Sequence, residues 1–445
     1  MRFKNSHFRI VERGFFCKML GILMILITKK LLSPILSLLL YATASSFLTT
    51  LLPLQLQERG VSPWLMGSVT ALFYSGLIWG ALRIESYLIR VGFIRAYVTL
   101  AAMLTTSALC FIFTQNIWIW LILRFFYGAG VAGLCLVIEN WFLKIADDAY
   151  RGRVLGLYML TFYIAQVLGQ SLLRFMDIDG DKPYSLIALL STLSIIPMAW
   201  THLSSPVPDE KSILSVRKLA AISPSGMTGS FGAGMMMGAF YGLMPAVLAR
   251  MDYTYGDIAT LMVVILLGGM LLQYPIGKLS DFFPRRWTLM LTCVLTTLMS
   301  ILLIHAKSLP IPFSVLCFFY GGVMFTIYPL SINVLCDFLS SKDIVAATGG
   351  LLVVYSMGAV TGPLIVPGFL AYWGTEGMFL FSAVVAALLM IFVGFRSRNK
   401  QLPETSRQDF LPLPRTTPAI LQLDPRGAFV KHLNKVKNVF NRKTP

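Results

Sequence analysis

Charge is scarce in this chain. Asp, Glu, Lys and Arg make up 13% of its 445 residues, about half the share found in soluble domains, while 56% are hydrophobic. At a mean hydropathy of +0.74, too little polar surface exists to coat soluble globules of this size. A single-span anchor on a soluble body is excluded as well, because no stretch of ordinary polarity remains to form that body. The four histidines (His7, His202, His305, His432) are dispersed, and the six cysteines sit in apolar stretches without a CxxC spacing. They read as small core hydrophobes rather than metal ligands. No phosphate loop, HExxH or GxSxG in a strand-turn-helix setting occurs. Neither an enzyme nor transport driven by ATP hydrolysis within this chain is expected, and neither is a cofactor or metal.

What the chain has instead is long apolar runs. A hydrocarbon core of about 30 Å needs roughly 20 apolar helical residues per crossing. Such stretches lie near 33–56, 64–89, 93–114, 117–143, 153–174 and 184–202, then near 223–250, 255–279, 287–306, 311–338, 343–371 and 376–395. Backbone groups in hydrocarbon must bond internally, and the ten-residue alternation of a barrel is missing, so twelve transmembrane helices are predicted. The run 14–28 is too short to span, and Ala42-Thr43-Ala44, though it resembles a cleavage site, lies in a helix that the repeat below requires.

The basic residues orient the bundle. With the N-terminus inside the cell, thirty Lys and Arg fall on the cytoplasmic side and five outside (Arg59, Arg174, Lys182, Arg250, Lys307). The short cytoplasmic loops alone hold twelve of the thirty. This follows the positive-inside rule and makes both termini cytoplasmic. The net charge of +17 is therefore topogenic and does not point to nucleic acid. The tail, with Lys431, Lys435, Lys437, Arg442 and Lys443, reads as a disordered basic arm touching anionic lipid. Asp177-Ile-Asp179-Gly180-Asp181 echoes a calcium loop but lacks the downstream Glu, and reads as a polar turn.

The chain is a duplication. Phe125-Phe126-Tyr127-Gly128 recurs as Phe318-Phe319-Tyr320-Gly321, an offset of 193 residues. At that offset Asn140 meets Asn333, Gly156 meets Gly349 and Gly169 meets Gly362; shifted by one, Pro53 meets Pro245 and Gly76 meets Gly268. The expected organisation is an N-terminal extension (1–32), a six-helix bundle (33–203), a cytoplasmic linker (204–222), a second six-helix bundle (223–396) and the tail (397–445). Parallel repeats of this kind place substrate between the halves, near the midplane.

Six plus six helices with a central cytoplasmic loop resemble the major facilitator superfamily. Gly277-Lys-Leu-Ser-Asp281-Phe-Phe-Pro-Arg285-Arg286 is similar to that superfamily's loop signature, with Phe282 and Pro284 in place of the usual Arg and Gly. The loop after the second span keeps Arg90, Gly92 and Arg95 but has Ile89 where the Asp would stand. Arg124-Phe-Phe-Tyr-Gly-Ala-Gly130, Glu139-Asn140-Trp141 and Arg151-Gly-Arg-Val-Leu-Gly-Leu-Tyr158 further resemble the superfamily's YcaD-like branch. The resemblance implies a monomeric secondary transporter in a bacterial inner membrane, with a gating role for both loops. The antiporter Gly-Pro pair is absent from the fifth span, where Gly169-Gln170 stands; Gly362-Pro363 occupies the other half.

Ionisable groups at a helix centre cost at least ~2.5–3.5 kcal/mol and are functional candidates by default. Glu139, flanked by Val137, Ile138 and Trp141, has Ile332 as its repeat counterpart, so architecture alone does not demand an acid there. It reads as a proton or substrate site, as one half of an internal ion pair, or as an interfacial carboxylate. Asn140 and Asn333 are candidates beside it and its counterpart. Arg124 lies about two turns into the fourth span; by resemblance it belongs to the helix-4 motif linked to proton transfer, and it can also attract an anionic substrate or snorkel outward. Arg83 and Glu85 read as boundary residues. Tyr163, Gln166 and Gln170 form one polar face of the fifth span, as cavity lining or as interhelical hydrogen bonds; Gln273, Tyr274 and Tyr328 join them. At the loop, Asp281 beside Arg285 and Arg286 can form charge-assisted bonds that hold one arrangement of helices.

The function expected is proton-coupled export of a small organic molecule by alternating access. Uptake of a metabolite or sugar is the alternative within the class, and a non-transporting sensor or assembly factor the alternative outside it.

Overall fold

The structure is a computed structural model and describes residues 29–145, 151–200, 215–339 and 343–397. The short run 14–28, most of the linker and the basic tail lie outside the described residues. The first half holds α1 (Lys29–Glu58), α2 (Pro63–Val91), α3 (Phe93–Phe113), α4 (Ile117–Ile145), α5 (Arg151–Leu172) and a sixth crossing made of α6 (Lys182–Leu193) and α7 (Ile195–Ala199). The short α8 (Val216–Ile222) precedes the second half: α9 (Pro224–Arg250), α10 (Tyr255–Phe282), α11 (Arg285–Ile304), α12 (Phe313–Cys336), α13 (Ile344–Trp373) and α14 (Gly377–Ser397). Eleven runs among the described residues are long and apolar enough to cross a membrane, and the last, Ala346–Arg396, contains both α13 and α14. The chain turns between these two at Gly374, whose φ of 58° suits a residue without Cβ. Twelve crossings result.

The packing repeats as the sequence does. Helix α2 packs on α4 as α10 does on α12; α1 packs on α5 as α9 does on α13; α3 packs on α6 as α11 does on α14. The glycine matches explain this. A Cβ built at Gly76 would overlap the carbonyl oxygen of Phe125, and one at Gly268 that of Phe318. Reciprocally, Gly128 lies against Phe73 O and Gly321 against Ile265 O. Only glycine lets the backbones approach so closely.

Two ends can be distinguished: the termini face, where α1 begins and α14 ends, and the far face opposite. Exposed Trp64, Trp118, Tyr372 and Trp373 ring the far face, and Trp200 and Trp287 the termini face. Aromatic girdles of this kind mark the two interfaces of a bilayer. The halves meet through α1 with α9, α2 with α13 and α5 with α10. The end of the expected linker is the helix α8 rather than a plain connection, because Leu219 is buried and the segment packs on α9 and α13.

Candidate functional site

A cavity of about 150 Å³ lies at mid-depth between the halves. Its wall is aromatic, with Tyr41, Phe73, Tyr74 and Phe162 from the first half and Tyr241, Phe325 and Tyr355 from the second. Tyr163, Gln166 and Gln170 border it as well, and no charged side chain among the described residues does so.

The polar face of α5 borders the cavity and also carries interhelical hydrogen bonds. Gln166 accepts a hydrogen bond from Tyr241 Oη at 3.0 Å, and Tyr163 Oη donates to Gln273 Oε1 at 2.8 Å. Both bonds join one half to the other beside the cavity. Gln170 instead ties α5 to α1: Thr50 Oγ1 donates to its Oε1, and its Nε2 donates to Ser46 Oγ at 3.3 Å. Gln273 is buried on the α5-facing side of α10, so its neighbour Tyr274, about 100° around the helix, is 60% exposed and points away from the cavity. Tyr328 is fully buried in α12, its ring 4.7 Å from that of the cavity-lining Tyr355.

On the far side of the cavity the halves are in close contact. A Cβ at Gly67 would overlap Pro363 O, one at Gly242 would press on Thr70, and Arg250 Nε donates to Gln57 Oε1 at 2.7 Å.

Glu139 stands behind the cavity wall. It is 0% exposed, the one acid among the buried described residues, and Tyr158 Oη of α5 donates to its Oε1 at 2.8 Å. One turn earlier on the same face, Cys135 Sγ lies 2.8 Å from Tyr41 Oη, and these two side chains border the cavity. Asn140 is turned back on its own helix, its Nδ2 donating to Leu136 O at 2.7 Å. Asn333 is also buried, and its carbonyl accepts from Arg285 at 3.0 Å. Tyr158, Tyr41 and Tyr241 escaped the sequence reading, because tyrosines in apolar helices give no periodic signal of their own.

Arg124 is 1% exposed, with its guanidinium carbon 4.7 Å from the Phe73 ring centroid and 5.9 Å from that of Tyr127. It does not snorkel. Arg83 is exposed near the end of α2.

At the termini face, Arg285 is bonded to Asp337 at the end of α12, with 2.7 Å between Nη1 and Oδ1. Arg286 lies over the Phe338 ring at 5.2 Å. Arg285 thus has an acidic partner at the C-terminal end of α12, in addition to the loop that carries Asp281. A readable signal existed: at an offset of 193, Asp337 falls on Lys144, an inversion of charge between the halves. Arg90 and Arg95 of the equivalent loop are exposed, while Gly92 (φ 88°) makes the turn between α2 and α3.

A model of the Major Facilitator Superfamily matches residues 35–269 and 226–440. The chain belongs to the Major Facilitator Superfamily. Superfamily members are transporters, not enzymes, and this one is YcaD-like. It is 27% identical over 370 residues to a protein of Escherichia fergusonii named as an uncharacterized MFS-type transporter YcaD, covering 82% of this chain and 95% of the relative. It is 28% identical over 359 residues to the YcaD of Escherichia coli O45:K1, covering 80% and 93%. Among solved structures it resembles the nucleoside transporter NupG (TM-score 0.68, 14% identity, 84% of this chain and 100% of that one). It also resembles a D-xylose-proton symporter (TM-score 0.65, 14% identity, 86% and 99%). At such identity these likenesses speak for the superfamily fold alone.

Proposed function

We propose that this superfamily member exports a small organic molecule with an aromatic or apolar body by alternating access, in exchange for protons, as a monomer in a bacterial inner membrane. The observation that carries this reading is the uncharged, aromatic cavity at mid-depth, with a fully buried carboxylate, Glu139, one turn behind its wall. Aromatic rings and a few amides suit an apolar body with hydrogen-bonding groups. Both termini are taken as cytoplasmic from the basic residues, so the far face is external and closed in this arrangement.

Glu139 is assigned proton binding, with Tyr158 as its orienting donor and Asn140 and Asn333 as supports of the helices that carry the site. Tyr163, Gln166, Gln170, Gln273 and Tyr328 serve the cavity and its cross-half bonds; Tyr274 has no part in it. A substrate that takes the amide groups of Gln166 and Gln273 for itself loosens two bonds between the halves, which links occupancy to rocking. At the termini face, Arg90, Gly92, Arg95, Gly277, Asp281, Arg285 and Arg286 are assigned to gating. Export over uptake rests on the family resemblance.

Everted and right-side-out vesicles carrying the protein, energised by a pH gradient and offered a panel of small aromatic compounds, test the proposal by mass spectrometry of the vesicle contents. Accumulation confined to everted vesicles supports export. Accumulation confined to right-side-out vesicles makes the protein an uptake permease, and none in either refutes the substrate class.

A further inference from the structure

Arg124 is a buried cation to which no acceptor is bonded. Its Nε and Nη1 are enclosed and have no hydrogen-bond partner, and the enclosed Oη of Tyr127, one turn along α4, lies beside Ser45, which borders the cavity. Among the described residues, the titratable groups that act on it electrostatically are tyrosines: Tyr127 on its own helix, Tyr74 on α2 and Tyr184 on α6. A guanidinium cannot shed its proton to escape this setting, and a buried charge with unmet donors is among the costliest features a membrane protein can keep. The aromatic faces of Phe73 and Tyr127 offset part of that cost. They leave the fork of N–H donors unused.

The position of this fork relative to the cavity gives it a purpose. Arg124 lies on the face of α4 that continues through Gly128 and Val131 to Cys135, and the last two border the cavity. Phe73, whose ring covers the guanidinium, borders the cavity too. The cation is therefore connected to the cavity through one side chain, Phe73, that touches both. A change of rotamer at Phe73, or movement of α2 as the far face opens, would bring the donors into line with the cavity.

Building on the transport reading of that cavity, we infer that Arg124 seats the anionic group of an amphipathic organic acid. The apolar body occupies the aromatic chamber, and a carboxylate takes the paired donors of the guanidinium, with Tyr127 Oη as a third donor. A planar carboxylate matches the guanidinium fork. An inorganic ion would leave the chamber unfilled.

The test uses the full-length purified protein in nanodiscs at constant ionic strength and pH. Its melting temperature is followed against benzoate, against benzamide as the neutral isostere, and against chloride. Benzoate is expected to stabilise saturably, and benzamide and chloride not to do so at matched concentrations. In Arg124→Gln, benzoate should bind about tenfold more weakly, with partial recovery in Arg124→Lys. Where Arg124→Gln yields no folded protein, Arg124→Lys and Tyr127→Phe decide, each expected to weaken benzoate while leaving the untreated melting temperature within the range of neutral surface variants. Equal stabilisation by benzamide, or benzoate binding unchanged in the Arg124 variants, overturns the proposal. Protection by chloride as good as by benzoate assigns the site to an inorganic ion and also overturns it. Because binding is read without a gradient, failure of vesicle transport with benzoate binding intact counts against the transport reading and leaves this site standing.

Discussion

Tyr158 donates a hydrogen bond to Glu139 across 2.8 Å, joining α5 to α4 at a carboxylate with no exposed surface. Both helices also contribute to the cavity wall, through Val131 and Cys135 on one and Met159 and Phe162 on the other. A change in the charge of Glu139 is therefore felt at a joint between two cavity-lining helices. A proton bound or released there would bias one arrangement of these helices over another.

If Glu139 exchanges protons, infrared titration of the protein in lipid will show a pH-dependent carboxyl carbonyl band that Glu139→Gln removes. Glutamine keeps an acceptor for Tyr158, so the variant is expected to fold and to retain ligand binding while losing the response of transport to a pH gradient. Tyr158→Phe leaves the carboxyl in place and should displace the midpoint of the band. A wild-type spectrum identical to that of Glu139→Gln across the accessible pH range, or pH-driven transport intact in the variant, would refute the assignment.

The ion pair at the termini face allows a thermodynamic test. Arg285 is 4% exposed and Asp337 13%. Removing one member of a buried pair leaves an uncompensated charge and costs about 3–5 kcal/mol. Asp337→Asn is therefore expected to lower the melting temperature sharply, and adding Arg285→Met to restore much of the loss. Additive single effects in that double-mutant cycle would show that the pair is not coupled.

The duplicated crossings predict matched consequences in the two halves. Gly76→Val and Gly268→Val each drive a side chain into a carbonyl oxygen on the facing helix, and overpacking of this kind costs about 1–3 kcal/mol or more. Gly156→Ala, where an added Cβ meets nothing, is the control. Melting temperatures should fall for the first two by similar amounts and hold for the third. A large difference between Gly76→Val and Gly268→Val would mean that the halves are not mechanically equivalent.

How much of this was legible beforehand depends on the range over which each feature is specified. The twelve crossings follow from local hydropathy, and the pairing of α2 with α4 and of α10 with α12 was already written in Gly76, Gly268, Gly128 and Gly321. The face of α5 was legible because Tyr163, Gln166 and Gln170 recur at helical spacing. The same rule failed for Tyr274, since adjacent residues on a helix point apart and only Gln273 could face inward. The partners were not legible. Tyr158 for Glu139, Tyr241 for Gln166 and Asp337 for Arg285 all come from other helices, and which helices meet at a given depth is decided by packing that one sequence does not display.

Hydrogen bonds between the halves help set the balance between their arrangements. Tyr241 Oη to Gln166 and Tyr163 Oη to Gln273 lie beside the cavity, and Arg250 to Gln57 joins the halves at the far face. Interhelical hydrogen bonds in membrane proteins average about 0.6 kcal/mol, so Tyr163→Phe with Tyr241→Phe should shift the balance between arrangements by about 1 kcal/mol, a change of roughly fivefold in their ratio. Neither change removes a ring, so the apolar packing stays. Spin labels on cysteines placed at Ser62 and Asp252, exposed positions of opposite halves at the far face, would report this as growth of a longer-distance population. If rocking opens the far face, the double variant gains that population while Tyr274→Phe, altering a tyrosine that points away from the cavity, does not. An unchanged distance distribution in the double variant would mean that these bonds do not hold the halves together, and that the contacts at Gly67 and Gly242 suffice.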